Sequence, residues 1–277
     1  MEIMHRIAFN AKGSPAFLDA LGQLGFVEEQ GIDPNTDGLI VVWVDEADAR
    51  WQTVRGLREE YGGVHQVQTY FTQAEILAAD LVRLSVTNAE GYPQPKRNWV
   101  STKPNYEQPC RSCGIFRQIA PFRIESEPIL RGHDFLTLIW GSPILARNEV
   151  VKYLAEKGIS GYEPWNVLIH SSGSPSKTIR QIQVVERTQA GFLDGDKVGH
   201  ETCGECGETK YFAHLRGVMH YRRDALPEDI DLMLSHEWFG AGGRSAYPEV
   251  LISPRLAKMI LEKGWKGVDM KVVELVG

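Results

Sequence analysis

Two Cys-x-x-Cys-Gly motifs, called knuckles below, constrain this chain more than any other feature of its sequence. The chain has four cysteines and the knuckles use all of them: Cys110 and Cys113 in the first, Cys203 and Cys206 in the second. The two-residue spacer lets both sulfurs of a pair reach one metal ion, and the following glycine permits a tight turn. Two facing knuckles supply four thiolates, the preferred structural zinc arrangement. The spacing therefore predicts one structural Zn²⁺ per chain, bound by Cys110, Cys113, Cys203 and Cys206.

Three other interpretations of the cysteines stay open. An iron–sulfur cluster also takes four thiolates, although the paired spacing favours zinc. A thioredoxin-like redox pair needs its Cys-x-x-Cys at the start of a helix that follows a strand, and neither motif has this context. The third interpretation is a set of core cysteines without a ligand. His200, His214 and His220 lie near the second knuckle and are candidate replacement ligands.

The composition describes an acidic globular protein. With 277 residues, 43% of them hydrophobic, the chain can bury a core without a metal. A net charge of −6 opposes sequence-independent binding to phosphates, although Arg216, Arg222 and Arg223 form a local basic segment. The first residues carry no secretory signal and no apolar run is long enough for a membrane span. We therefore expect a cytoplasmic protein with no membrane partner, in a reducing compartment where paired cysteines indicate metal binding.

The first 87 residues predict a small α/β sandwich. Apolar runs at 3–9, 39–44 and 64–71 have the character of strands, and helical spacing of apolar residues lies between them. Asp45 is the predicted N-cap of the second helix. The resulting β-α-β-α-β order defines a domain at 1–87.

Polar segments divide the remainder of the chain. Residues 88–108 are rich in Pro, Asn and Lys and predict a connecting loop. Residues 171–177 predict a flexible linker. These segments predict an α+β protein in which two similar α+β halves, 88–170 and 171–277, follow the N-terminal domain and are joined by a zinc-ribbon-like site of four cysteines.

The two halves share an internal similarity. A shift of 106 residues aligns 150–161 with 256–267, with five identical residues and matching apolar positions. Each copy predicts an amphipathic helix that ends at a glycine with left-handed φ, followed by a strand at 162–169 or 268–276. Duplicated modules would bring their knuckles together about a pseudo-twofold axis. The duplication therefore explains why knuckles so distant in sequence meet.

The sequence contains no familiar catalytic motif for a hydrolase, a P-loop enzyme or a zinc protease. Asp231, His236 and Glu237 are the nearest approach to an acid–base cluster, but they accompany no nucleophile. A closed four-sulfur shell also leaves no coordination position for water. We therefore predict that the protein is not an enzyme.

The knuckles, the segment 121–124 and the segment 252–267 resemble the bacterial double-CXXCG motif family over residues 75–277. This resemblance implies a zinc-binding protein with Cys110, Cys113, Cys203 and Cys206 as its ligands. Some members of the family are proposed to be immunity proteins that neutralise a partner toxin. The implied function is a non-enzymatic immunity protein whose partner is a toxin; the alternative is a zinc-ribbon nucleic-acid-binding or regulatory protein.

Overall fold

The protein has a mixed α+β fold, as predicted, arranged in two compact units. The computed structural model describes residues 1–33, 35, 38–95, 105–139, 141, 143–243 and 245–277. Unit 1 consists of Met1–Thr72 together with Leu215–Gly217, and unit 2 consists of Gln73–His214 and Val218–Gly277. Within the described residues, none of the helices has the length and hydropathy of a transmembrane span.

Unit 1 is a three-stranded antiparallel sheet with helices packed on one face. Its elements are β1 (Glu2–Asn10), α1 (Pro15–Gln23), α2 (Phe26–Glu29), β2 (Leu39–Asp45), α3 (Trp51–Tyr61) and β3 (Val64–Tyr70). The strand order is β2-β1-β3, so the first strand lies in the centre. Alternate residues of β1 and β2, such as Ile7 and Val42, pack against Phe17, Trp51 and Val54 of the helices. The predicted β-α-β-α-β order is therefore present, with α2 added.

The predicted N-cap at Asp45 is wrong. Helix α3 begins at Trp51, six residues after Asp45. The Asp45 carboxylate instead accepts a hydrogen bond from the backbone N–H of Ala47 at 2.8 Å. A turn therefore separates the strand from the helix, and Asp45 belongs to that turn.

Unit 2 contains the other elements that the structure describes. Its helices are α4 (Gln73–Ala78), α5 (Asn148–Glu156), α6 (Gly195–Val198) and α7 (Pro254–Lys263). Its strands are β4 (Leu81–Val86), β5 (Tyr106–Glu107), β6 (Arg117–Gln118), β7 (Arg123–Ile124), β8 (Phe135–Leu136), β9 (Ile144–Arg147), β10 (Tyr162–Ile169), β11 (Pro175–Val184), β12 (His200–Thr202), β13 (Thr209–Tyr211), β14 (Met219–Arg222), β15 (Leu232–Leu234), β16 (Trp238–Phe239), β17 (Val250–Ile252) and β18 (Val268–Val276). The predicted strands β10 and β18 are confirmed with their boundaries.

Two five-stranded sheets in unit 2 have the same strand directions, and the four strands that flank the central strand follow the same order. The first has the order β7-β10-β11-β9-β8, and the second has the order β14-β18-β4-β17-β15. In each sheet the first pair is parallel and every other pair is antiparallel. The central strand of the first sheet, β11, follows its neighbours in sequence. The central strand of the second sheet, β4, comes before all of its neighbours.

The registers of the two sheets also correspond. Gln181 of β11 pairs with Leu145 and Trp165. Arg83 of β4 pairs with Leu251 and Lys271. The shift that relates Leu145 to Leu251 also relates Trp165 to Lys271, and it is the 106-residue shift found in the sequence. Gln181 and Arg83 therefore occupy equivalent positions, and both side chains are buried.

The sheets hold each other through equivalent contacts. Gly161, which precedes β10 of the first sheet, packs against the carbonyl oxygen of Leu232 in the second. Gly267, which precedes β18 of the second sheet, packs against the carbonyl oxygen of Phe135 in the first. Both glycines have left-handed φ, 90° and 98° respectively. A side chain at either position would occupy the space of a backbone carbonyl on the other sheet.

Carboxylates reinforce both contacts in the same way. Asp231 accepts a hydrogen bond from the backbone N–H of Ser160 at 3.0 Å. Asp134 accepts one from the backbone N–H of Lys266 at 2.9 Å. Each helix-to-strand turn is therefore fixed by an aspartate that belongs to the opposite sheet.

The compact units differ from the predicted domains. Unit 1 ends at Thr72 rather than at residue 87, because β4 lies between β17 and β18 at the centre of a unit 2 sheet. The linker predicted at 171–177 is wrong, since Pro175 already begins β11 and the preceding residues connect the antiparallel strands β10 and β11. Part of the loop predicted at 88–108, residues 96–104, lies outside the described residues.

The glycine contacts lead to a stability prediction. Gly161→Ala should destabilise unit 2 by about 3 kcal/mol or more, because it adds a steric overlap with Leu232 to the cost of left-handed φ. Gly158→Ala is the matched control, since Gly158 has φ 64° and open space around it; its cost should be about 1–2 kcal/mol. Urea unfolding of both variants measures the difference. Equal costs would contradict the proposed close packing.

A buried histidine lies in unit 1 among polar partners. His5 is 3% exposed and its ring stacks on Trp51 with the centroids 3.6 Å apart. One ring nitrogen of His5 lies 2.9 Å from Nε2 of His65, and the other lies 3.1 Å from the Glu46 carboxylate. Arg216 pairs with the same carboxylate. Burial lowers the pKa of His5 below 6.5, against the opposing effect of Glu46, and burial also lowers the pKa of His65.

These pKa shifts predict acid sensitivity. Because the pKa values of His5 and His65 are lower in the folded protein than in the unfolded chain, the unfolded chain binds more protons as the pH falls through 6.5, so the free energy of unfolding should fall as the pH decreases below that value. Glu46→Gln should lower the pKa of His5 further, since Glu46 favours the charged ring. NMR titration of the histidine rings measures this, with Asp19→Asn on the exposed surface of α1 as the control. A raised His5 pKa in the Glu46 variant would refute the assignment.

Candidate metal centre

Each knuckle lies in the loop of a short antiparallel hairpin. The first knuckle connects β5 to β6, and the second connects β12 to β13. In the second loop, the N–H of Cys203 donates to the carbonyl of Glu208, and the N–H of Gly207 donates to the carbonyl of Cys203, both at 2.9 Å. The glycines that end the knuckles, Gly114 and Gly207, have φ values of 72° and 76°. The left-handed turn expected from the glycine in each motif is therefore present.

The four sulfurs form one cluster. The Sγ atoms of Cys110, Cys113, Cys203 and Cys206 all lie within 4.8 Å of one another. The Sγ atoms of Cys110 and Cys203, from different knuckles, are 3.9 Å apart. A tetrahedral ion with bonds of about 2.3 Å to sulfur separates its ligands by about 3.8 Å. The cluster therefore has the dimensions and the donor atoms needed to hold a metal ion.

The burial of the cluster is uneven. Cys113 is 4% exposed and packs with Ile115, Trp238 and Ala246. Cys110 and Cys203 are half-buried, and Cys206 is exposed. Strand β16, which carries Trp238, pairs with β13 directly after the second knuckle. One side of the cluster therefore packs against the apolar side chains of Ile115, Trp238 and Ala246, called the apolar floor below, and the other side is exposed to solvent.

Backbone and side-chain groups around the sulfurs affect their ionisation. Backbone N–H groups of Cys206 and Glu205 lower the pKa of Cys203. At Cys206 the N–H of Glu208 favours the thiolate, but desolvation and the neighbouring thiols oppose it and raise its pKa to about 12. Four thiolates at such short distances repel one another, so a divalent cation is the natural counter-charge for the fully deprotonated set. This arrangement favours a metal over four independent thiols.

The histidines near the second knuckle have other partners. Nδ1 of His220 lies 3.0 Å from the Asp194 carboxylate, which accepts its hydrogen bond, and His214 Nε2 lies 3.5 Å from the same carboxylate. His200 lies beside the ring of Tyr211. Among the described residues, the group with metal-binding spacing contains the four cysteines and none of these histidines.

Asp194 is a residue that sequence analysis did not single out. Its side chain is 1% exposed, and it also accepts a hydrogen bond from Lys197 at 2.6 Å and one from the backbone N–H of His220 at 2.8 Å. Residues 194, 214 and 220 have no motif spacing in common. The polar segment around Asp194 resembles an ordinary turn, so no sequence signal identified it as buried.

The predicted acid–base candidates are divided between separate networks. Asp231 binds the hydroxyl of Ser253 at 2.6 Å and pairs with Arg255. Glu237 accepts a 2.6 Å hydrogen bond from the hydroxyl of the fully buried Tyr221, and further bonds from backbone N–H groups. His236 uses its backbone N–H to contact a threonine hydroxyl. These interactions hold loops and strands in place, so the carboxylates of Asp231 and Glu237 have structural roles.

The arginines of the predicted basic segment all have acidic partners. Arg216 pairs with Glu46, Arg222 with Asp224 and Arg223 with Asp80. Arg216 belongs to unit 1, whereas the other two belong to unit 2. A carboxylate partner neutralises the charge with which a guanidinium attracts a phosphate. The pairing therefore weakens the case for a nucleic-acid surface in this segment.

Comparisons with protein-family models, with curated proteins and with solved structures gave no match to this chain.

The geometry of the cluster predicts its metal content. Protein purified under reducing conditions should contain about one zinc ion per chain, because four thiolates complete a single tetrahedral shell. The double variant Cys110→Ser/Cys203→Ser removes one ligand from each knuckle and should lose nearly all of the metal. Ser112→Ala, an exposed non-ligand in the first knuckle, should retain it. Elemental analysis measures all three proteins, and full retention in the double variant would exclude a shared site.

Proposed function

We propose that Cys110, Cys113, Cys203 and Cys206 bind one structural zinc ion that links the two knuckle hairpins. The observation that carries this proposal is the meeting of four sulfurs within 4.8 Å from segments 93 residues apart. Bound zinc would cross-link the β5–β6 hairpin to the β12–β13 hairpin. Among the residues that the structure describes, the cluster contains sulfur ligands and no nitrogen or oxygen ligand. An all-sulfur set suits zinc in a structural role.

We propose further that the protein is not an enzyme. Four protein ligands complete the tetrahedral shell, so water and substrate have no coordination position. The carboxylates that resemble acid–base catalysts in the sequence already have structural partners: Asp231 has Arg255 and Glu237 has Tyr221. These observations support a protein that acts through its surface.

We infer that the two five-stranded sheets derive from one duplicated module that exchanged its first strand. One copy of the module would run from β4 through the first knuckle to α5 and β10. The other copy would run from β11 through the second knuckle to α7 and β18. Shared strand order, strand direction and register support this inference. The equivalent contacts of Gly161 and Gly267 support it independently. In such an arrangement each knuckle follows the strand that crosses to the other sheet. The two knuckles would therefore lie near the pseudo-twofold axis, where they can meet.

The function that fits these features best is that of an immunity protein that binds and neutralises a partner toxin in the cytoplasm. Two arguments support it: the resemblance of the knuckles to the double-CXXCG family, and the net charge of −6, which favours rapid capture of a basic partner. The alternative, a nucleic-acid-binding or regulatory protein, draws on the four-cysteine site but has ion-paired arginines against it.

A protection experiment tests the immunity function. Cells that produce a toxin encoded beside the gene for this chain should survive when they also produce the chain, and the two proteins should co-purify as a complex. The Ser112→Ala variant should protect equally well, since it leaves the ligands intact. Toxin-dependent killing that is unaffected by the wild-type chain would refute the proposal.

Nucleic-acid binding distinguishes the alternative. Because phosphate contacts are strongest at low ionic strength, an electrophoretic shift of RNA or DNA at about 50 mM salt that disappears at higher salt would favour the alternative. We expect no shift at that salt concentration.

A further inference from the structure

The two knuckles share the same cysteine and glycine spacing but differ in their exposure to solvent. Cys113, the second cysteine of the first knuckle, is 4% exposed beneath Ile115, Trp238 and Ala246. Cys206, the second cysteine of the second knuckle, is exposed. Cys206 is therefore the cysteine of the cluster most open to solvent, whereas the apolar floor shields Cys113.

The partner sulfur for a reaction at Cys206 is already in place. Cys203 belongs to the same loop, and its sulfur lies within 4.8 Å of that of Cys206. A disulfide has an S–S bond of about 2.05 Å, so a modest side-chain movement closes the distance. Since both residues belong to one hairpin loop, the bond forms without moving the other hairpin. A disulfide to Cys113 would instead need access to the buried side of the cluster.

We propose that Cys206 is a site of reversible oxidation by hydroperoxides, and that oxidation forms a Cys203–Cys206 disulfide and releases the metal. This inference rests on the proposed zinc site. It assigns different roles to the knuckles: the second is the reactive one, and the first remains reduced.

The chemistry balances with a hydroperoxide as the oxidant. As a metal ligand Cys206 would be deprotonated, and its thiolate attacks a peroxide oxygen; the O–O bond breaks, and the products are a sulfenic acid and an alkoxide or hydroxide. The Cys203 thiolate then attacks the Cys206 sulfur, so an S–S bond forms, the S–O bond breaks and hydroxide leaves. Solvent protonates both leaving groups. The two sulfurs lose two electrons in total and the peroxide gains them.

Metal release follows from the loss of ligands. A disulfide sulfur is a poor ligand compared with a thiolate, so Cys110 and Cys113 alone remain to hold the ion. The cross-link between the hairpins is then lost. A dithiol reductant restores both thiolates, and the ion rebinds.

Peroxide treatment of the full-length protein tests this proposal. Metal content is measured first on protein isolated under reducing conditions. Hydrogen peroxide is then added, released zinc is followed with a chromogenic chelator, and the remaining thiols are alkylated and mapped by peptide mass spectrometry. We expect one zinc released for each Cys203–Cys206 disulfide formed, with Cys110 and Cys113 still alkylated as free thiols. Reduction with a dithiol in the presence of zinc should restore the starting metal content.

A Cys206→Ser variant provides a second test. If the variant retains zinc, peroxide should release it at least about tenfold more slowly, because the exposed nucleophile is absent. If the variant binds no zinc, the disulfide map of the wild-type chain decides the question without it.

The outcomes separate this inference from the zinc proposal. Isolation without zinc would refute the metal site, and with it the metal-release step. Bound zinc that peroxide does not release would refute the inference and leave the site intact. A first disulfide that includes Cys110 or Cys113 would also refute it.

Discussion

Unit 2 depends on the placement of two central strands. β4 completes a sheet whose other strands all lie beyond residue 218, and β11 completes the equivalent sheet from residues 123–169. A central strand forms hydrogen bonds on both sides, so the two outer strand pairs of each sheet are joined only when this strand is in place. For β4 the pairing joins segments that are far apart in the chain, which makes it costly in loop-closure entropy. The contacts of Gly161 and Gly267 then fix each sheet to the other.

In the cysteine cluster, the tertiary structure gives different solvent exposure to cysteines that occupy equivalent positions of the motif. Both knuckles have the same spacing and the same left-handed glycine. Cys113 packs in one buried cluster with Trp238 and Ala246, Cys110 and Cys203 pack against this cluster from its edge, and Cys206 is exposed. As a result, Cys113 is an interior residue and its counterpart Cys206 is a surface residue. This difference in solvent access is the basis of the proposed difference in reactivity between the knuckles.

Buried polar groups account for several residues that look functional in the sequence. Glu237 binds Tyr221, and Arg83 at the centre of the second sheet forms a buried ion pair with Glu249 at 3.0 Å. A buried charge needs such a partner, since its desolvation is otherwise uncompensated. Arg83 and its counterpart Gln181 are both polar residues at the centre of a sheet, and Gln181 is satisfied by Gln118 at 2.7 Å. These networks use acidic, basic and amide groups for architecture.

The sequence alone determined the features that depend on neighbouring residues. Apolar periodicity predicted the three strands of unit 1 and two of its helices, α1 and α3. The glycine signals predicted the ends of α5 and α7, and the knuckle spacing predicted four cysteines at one site. The tertiary structure alone decided which distant strands pair. It placed β4 outside the N-terminal domain and made β11 a central strand, although Pro175–Lys177 has the polar composition of a linker. It also decided that Cys113 is buried and Cys206 exposed. Pairing and burial depend on surfaces brought together from far along the chain, and no local pattern records them.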